Sequence, residues 1–219
     1  MGLRHLVSSE SGQGSGITRA QTGHAPGTVK ARLHSADELQ RRRKSETAGR
    51  AMSAGPFSRS ELADAFQKFE QTVARAAESK DWDAWVEHYT PDVLYIEHAA
   101  GTMHGRDEVR EWIRRTMSTY PGSHMVAFPS LWSVIDEPTG RVIMELDNPM
   151  RDPGDGSVVA ATNISIITYA GDGLWRRQED IYNPLRFVQA SLKWCRKAEQ
   201  LGTLDEDAAR FLQQYGQAQ

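Results

Sequence analysis

Alternation along the run Leu174 to Asn183 sets Arg176, Gln178, Asp180 and Tyr182 on one face of a strand. A second run, Val93 to His98, puts Tyr95 and Glu97 on a shared face. Carboxylates and phenols of this kind are the parts of acid–base chemistry. Two carboxyls in an apolar, water-poor site cannot both ionise cheaply, so one stays charged as a base while the other holds a proton near neutral pH. Asn148 and Asn163 can orient a carbonyl or hydroxyl, or equally satisfy buried backbone groups. Plainer readings stand beside these: the polar row can be a solvated face, and Glu97 and His98 can border a loop.

Other chemistry has little support. His88, His98, His104 and His124 lack the spacing of a helical metal site, and Cys195 is the single cysteine, so neither a metal nor a cofactor is expected. There is no Gly-rich phosphate loop and no Gly-x-Ser-x-Gly elbow. Asp172-Gly173 reads as a hairpin turn, and Trp82, Trp85 and Trp112 fall at helical spacing, which suits a core.

The chain that must position these groups has 219 residues, 39% hydrophobic and 25% charged, the composition of a soluble globular protein. No stretch approaches the ~18 apolar residues of a spanning helix, and the N-terminus lacks the apolar run of a secretory signal. No membrane partner and a cytoplasmic location are therefore expected, in agreement with the lone cysteine. The formal charge of −3 leaves no nucleic-acid footprint. It divides unevenly: residues 1–54 carry nine Lys or Arg against four acids, a charge of +5, and the remainder is −8. That segment has no aromatic residue and no apolar period, so it is read as a disordered basic tail, with Met52 as an alternative start.

Order is expected from Pro56. Ser58 and Glu61 make a capping box for a helix to about Ser79, a short helix with Trp82, Trp85, Val86 and Tyr89 apolar follows from Asp81 and ends at the Thr90-Pro91 step, and Val93 to His98 is a strand. Ala99 to Gly105 turns the chain into a third helix, from Asp107 to about Ser118. Four strands then follow at about His124–Ile135, Arg141–Asn148, Ser157–Tyr169 and Leu174–Asn183. Helix returns after Pro184, breaks at Gly202, and restarts on a capping box of Thr203 and Glu206. Segregated helices and hairpin strands predict an α+β domain with a curved antiparallel sheet.

The segment Asp81-Trp-Asp-Ala-Trp-Val-Glu-His-Tyr-Thr-Pro-Asp92, the strand after it, and Gly105-Arg-Asp-Glu-Val-Arg-Glu-Trp-Ile113 resemble the start of the nuclear transport factor 2-like superfamily. Within it, the SnoaL-like branch is nearest. Trp175-Arg-Arg-Gln-Glu-Asp-Ile-Tyr-Asn-Pro-Leu-Arg-Phe187 is similar to that branch's last strand. The resemblance implies a half-open cone around an apolar pocket for a small hydrophobic ligand. Its members include isomerases, lyases such as dehydratases, polyketide cyclases and epoxide hydrolases, and some members catalyse nothing. The implied organisation is a tail over 1–54, a cone over 55–187 and a helical extension over 188–219.

By this resemblance Glu97 falls where the ketosteroid isomerase branch keeps its proton-shuttling carboxylate, with Tyr95 on its face and His98 as second choice. Asp180 falls on a catalytic aspartate of the limonene epoxide hydrolase branch, and Tyr182, Asn148 and Asn163 become candidate substrate contacts. The chain also departs from both patterns. Leu146 and Asn148 replace an Arg and an Asp of the epoxide hydrolases, while Val73 and Asn163 replace a Tyr and an Asp of the isomerases. Neither named activity carries over intact. The reading is a cofactor-independent acid–base enzyme, the alternatives being a non-catalytic binding or association module, or a structural subunit like the small subunits of aromatic-ring dioxygenases. Strand Ser157–Tyr169 is apolar on both faces, and a homodimer is expected to cover the outer one.

Overall fold

The computed structural model describes residues 55–217, so the expectations for segment 1–54 fall outside the described residues. Ser58, extended and with its Oγ accepting the Glu61 N–H at 3.2 Å, starts α1 (Arg59–Ser79) as its capping box predicts. One face of α1 buries Leu62, Ala65, Phe66, Phe69 and Ala76 at helical spacing, and Lys80 ends it in the left-handed conformation, φ 62°. A single turn, α2 (Asp83–Val86), tucks Trp85 and Val86 beneath it.

Strand β1 (Tyr89–Glu97) begins earlier than its apolar pattern predicts, because Thr90-Pro91 does not stop the chain. The ladder is irregular between Tyr89 and Leu94, and Pro91, which has no N–H to donate, lies in that gap. The stretch expected to be only a turn contains a short strand, β2 (Gly101–His104), paired with β1. Helix α3 (Arg106–Ser118) follows, burying Val109 and Ile113. Of the long strand expected from His124, the first part is a 3-10 turn over Gly122–His124, and β3 is Ser130–Asp136. The rest of the sheet is β4 (Arg141–Pro149), β5 (Ala160–Gly171) and β6 (Leu174–Ile181).

The strands lie in the order β2-β1-β6-β5-β4-β3. All neighbours are antiparallel except β1 and β6, which run parallel, so the sheet is mixed where a wholly antiparallel one was expected. The curved sheet and helices α1–α3 enclose one core, with Trp82, Trp85, Tyr89, Val142, Ile167 and Trp175 among its buried members.

A second core lies apart from the first. Helix α4 (Pro184–Leu201), capped by Asn183, and α5 (Glu206–Tyr215) pack Leu192, Trp194, Cys195 and Phe211 against Met150 and Val159 of the β4–β5 connection. The cap of α5 is Asp205, whose side chain accepts from Ala208 N, and not the expected Thr203, whose hydroxyl donates to Pro153 O. Among the described residues no helix is long and apolar enough to cross a membrane.

Candidate active site

The parallel pairing of β1 with β6 sets Tyr95 opposite Gln178 and Glu97 opposite Asp180, while antiparallel β5 sets Ser165 opposite Asp180. Register partners project to the same side of a sheet, so three strands converge on the concave face. Glu97 and Asp180 therefore share a face, next to one another.

Asp180 collects donors. Its Oδ1 accepts from Ser165 Oγ at 2.6 Å and from Gln178 Nε2 at 2.9 Å, and its Oδ2 accepts from the Tyr95 hydroxyl at 2.5 Å. The direction is set from behind. Tyr89 donates to Gln178 Oε1 at 2.5 Å, which turns the amide nitrogen toward Asp180 and toward the Tyr95 oxygen, 3.1 Å away. Asn148 Nδ2 donates to Asn163 Oδ1, and Asn163 Nδ2 to Ser165 Oγ, each at 2.9 Å. Both hydroxyl oxygens next to Asp180 thus already accept an amide N–H, and both hydroxyl protons face the carboxylate. An anion at Asp180 is the state this network solvates.

Glu97, only 6% exposed, is held differently. Its Oε2 accepts backbone N–H groups from Ala99 (2.9 Å) and Ala100, and its Oε1 accepts the Tyr182 hydroxyl. Oε2 meets only N–H donors, so a proton on Glu97 must sit on Oε1, where the Tyr182 hydroxyl can reverse and accept. Burial pushes Glu97 above the usual carboxylate range, Tyr182 and the Ala100 and Ala99 amides pull it down, and the charge of Asp180 pushes it up. Burial likewise raises Asp180 although Ser165, Tyr95 and Gln178 all oppose it. Burial, then the charge of Asp180, carries Tyr95 far above ordinary phenols, so it stays a donor.

Around this cluster the walls are aromatic. The half-buried Trp112 of α3 lies against Tyr95 with ring centroids 4.9 Å apart, and Phe187 of α4 meets Tyr182 edge-on at 4.8 Å. His98 is not brought to the cluster: it is exposed, and its Nε2 lies 3.1 Å from Glu179 Oε1. Trp82 and Trp85 are core residues, as their spacing suggests. A groove of about 340 Å³ at the described surface lies elsewhere, along α1 and the β5–β6 turn, lined by Ser60, Glu61, Asp64, Lys68, Tyr169 and Gly173. No metal-ligand cluster of His, Cys, Asp or Glu occurs among the described residues.

Ser165, Tyr89 and the orienting Gln178 join the site beyond the residues that the sequence predicts. Gln178 stood in the polar row on β6. Ser165 had a signal as well, since alternation from Asn163 places the two polar side chains together inside an otherwise apolar strand.

Residues 69–178 match the SnoaL-like domain model, half of the chain, and the chain belongs to the SnoaL-like domain family. Its fold is that of the nuclear transport factor 2-like cone. A Bacillus subtilis protein provisionally named an isomerase is similar in structure at 19% identity and TM-score 0.47, over 60% of this chain and 92% of its own. A Xanthomonas campestris pv. campestris protein provisionally named a polyketide cyclase aligns at 17% identity and TM-score 0.46, over 60% and 97%. An Anabaena variabilis protein of the same fold aligns at 9% identity and TM-score 0.45, over 59% and 96%. No functionally curated protein matches the sequence.

Proposed function

We propose that the chain is a cofactor-independent enzyme of isomerase or cyclase type that moves a proton on a small, apolar organic substrate. Asp180 is the base: Oδ2 takes a proton from a carbon beside a carbonyl, and the electron pair of that bond moves onto the carbonyl oxygen. Glu97, protonated on Oε1, hydrogen-bonds or protonates that oxygen, and Asp180 returns its proton to a second carbon. Tyr95 holds Oδ2 in place, and Asn148, Asn163 and Tyr182 are proposed to orient the substrate. The observation that carries this reading is the convergence of three donors on Asp180 beside Glu97 in register.

The test is isotope exchange. Incubation in D₂O with a panel of enolisable apolar ketones should place deuterium at the α-carbon. Asp180→Asn and Glu97→Gln should each slow it by ~10²–10⁴. Exchange indifferent to Asp180→Asn would remove the assignment. A second reading, a binding module without catalysis, is favoured by Val73 and Asn163, which stand where the isomerases keep a Tyr and an Asp. Tight binding of such ketones with no exchange would select it.

We also propose a homodimer through the convex face. Val134, Ile143 and Ile166 form one row across the strands and Ile164 and Ile181 another, and Val134 and Ile181 are 53% and 40% exposed in the single chain. A cytoplasmic location is proposed on the single buried cysteine.

A further inference from the structure

Asn148 is 6% exposed, and its amide can stand in one orientation only. Its Nδ2 donates to Asn163 Oδ1 at 2.9 Å, to Ala161 O at 3.0 Å and to Leu146 O at 3.3 Å. Turned over, the amide would set its oxygen against two backbone carbonyls that have no proton to give. The nitrogen is therefore fixed, and its two hydrogens are spent on three acceptors. The oxygen is the reverse case: Asn148 Oδ1 accepts no hydrogen bond among the described residues. The fully enclosed side-chain atoms without a partner, among those residues, are Trp82 Nε1, Thr90 Oγ1, Thr168 Oγ1 and Trp175 Nε1. Asn148 Oδ1 is not one of them, so it keeps an open side. An amide buried only to satisfy the backbone would have both of its ends paired.

Register fixes where that oxygen lies. Asn148 pairs with Ala161 and Asp180 with Ser165, and on β5 these partners are four residues apart, about 13 Å along the strand. All four polar side chains project to the concave side, because each donates to the next: Asn148 to Asn163, Asn163 to Ser165 and Ser165 to Asp180. Leu146 and Ala161, both half-buried, give apolar surface beside Asn148 on the same face. A ligand whose reacting carbon lies at Asp180 Oδ2 thus meets, at its far end, an acceptor that lacks a donor.

From this geometry we infer that Asn148 Oδ1 is a specificity subsite, which selects substrates bearing a hydroxyl group at the end remote from the reacting carbonyl. The hydroxyl donates its proton to Oδ1 and completes the pairing of the amide. A plain hydrocarbon end leaves the oxygen unpaired, and an ether oxygen sets lone pair against lone pair, so both are disfavoured. The selection rests on reading Asp180 as the base, but its test needs no turnover.

Three ketones of one shape separate the cases. 6-Hydroxy-2-tetralone has the donor, 2-tetralone lacks the oxygen, and 6-methoxy-2-tetralone keeps the oxygen without its proton. Titration calorimetry on the full chain should find the hydroxy compound bound roughly three- to tenfold more tightly than 2-tetralone, the worth of one hydrogen bond. The methoxy compound should bind no more tightly than 2-tetralone. Asn148→Leu, similar in volume and without polar side-chain atoms, should abolish the preference and leave the affinity for 2-tetralone nearly unchanged. Should that variant fail to fold, the order of the three ketones on the wild type still decides. Equal binding of the hydroxy compound and 2-tetralone, a methoxy compound that binds as tightly as the hydroxy one, a preference that survives in Asn148→Leu, or no binding of any of the three overturns the subsite. Deuterium exchange at the α-carbon without a hydroxyl preference removes the subsite alone. A hydroxyl preference without exchange removes the acid–base reading and leaves the subsite standing.

Discussion

Asp180→Asn is expected to act on stability in two opposed ways that pH separates. The first is fixed: Tyr95 is 2% exposed and its hydroxyl proton points at Oδ2, so an amide nitrogen there removes its acceptor. An orphaned buried donor costs about 1–3 kcal/mol at every pH. The second follows proton binding. Burial raises the folded-state pKa of Asp180, so the folded protein binds its proton more tightly than the unfolded chain does. Wild-type stability then falls as pH rises from the unfolded-state value, about 3.9, through the raised folded-state value, and levels off above it. Asparagine does not titrate. Each tenfold in proton affinity between the two states corresponds to about 1.4 kcal/mol, so the deficit of the variant should be largest near pH 3 and shrink by that measure toward neutrality. Because Glu97 titrates beside Asp180, the comparison is best made in a Glu97→Gln background. Urea unfolding by tryptophan fluorescence from pH 3 to 7.5 reads the difference directly. A deficit that grows with pH would mean that the three donors outweigh burial, and the argument for a destabilised base would be refuted.

Three further outcomes are expected. Tyr95→Phe leaves Asp180 with two donors, so its pKa should rise further and the acidic limb of the isotope-exchange rate profile should move to higher pH; an unmoved limb would exclude contact in solution. Ile164→Asp on the convex face should turn a dimer into monomer or aggregate by sedimentation, because it places an unpaired charge in an apolar contact, and a wild type that sediments as a monomer at micromolar concentration would remove the premise. At Gly122 an added Cβ would stand 2.2 Å from Thr116 O, so Gly122→Ala should lower stability by about 1–3 kcal/mol in chemical unfolding.

Local chemistry made much of the fold legible: the Ser58 box, the proline after Asn183 and the period-two strands all correspond to observed elements. What escaped depends on partners distant in the chain. Strand β2 is four residues at a sheet edge beginning with a glycine, too short and polar to carry a period. The parallel pairing of β1 with β6 has no local signature, because both orientations put the same residues inward. Asp205 and Thr203 both suit a cap, and Asp205 wins because His124 and Arg151 meet it there. In the candidate site, Glu97 and Asp180 were reached through family likeness and Gln178 through alternation. The direction of the donors around Asp180 depends on Tyr89, which sequence alone had assigned to a helix.

The parallel contact between β1 and β6 has a consequence for how the molecule is built. Tyr95 and Asp180 are 85 positions apart, whereas β3 to β6 join their neighbours through short connections. Closing so long a loop must precede any contact that compensates for its entropy, so such pairings form slowly. The meander and the helices can assemble while β1 is still detached, leaving Asp180 open to water and its carboxyl near the ordinary proton affinity. A refolding chain should therefore regain its helical circular dichroism before it regains the altered ionisation of Asp180, and a kinetic intermediate of this protein would be folded to the eye but chemically mute.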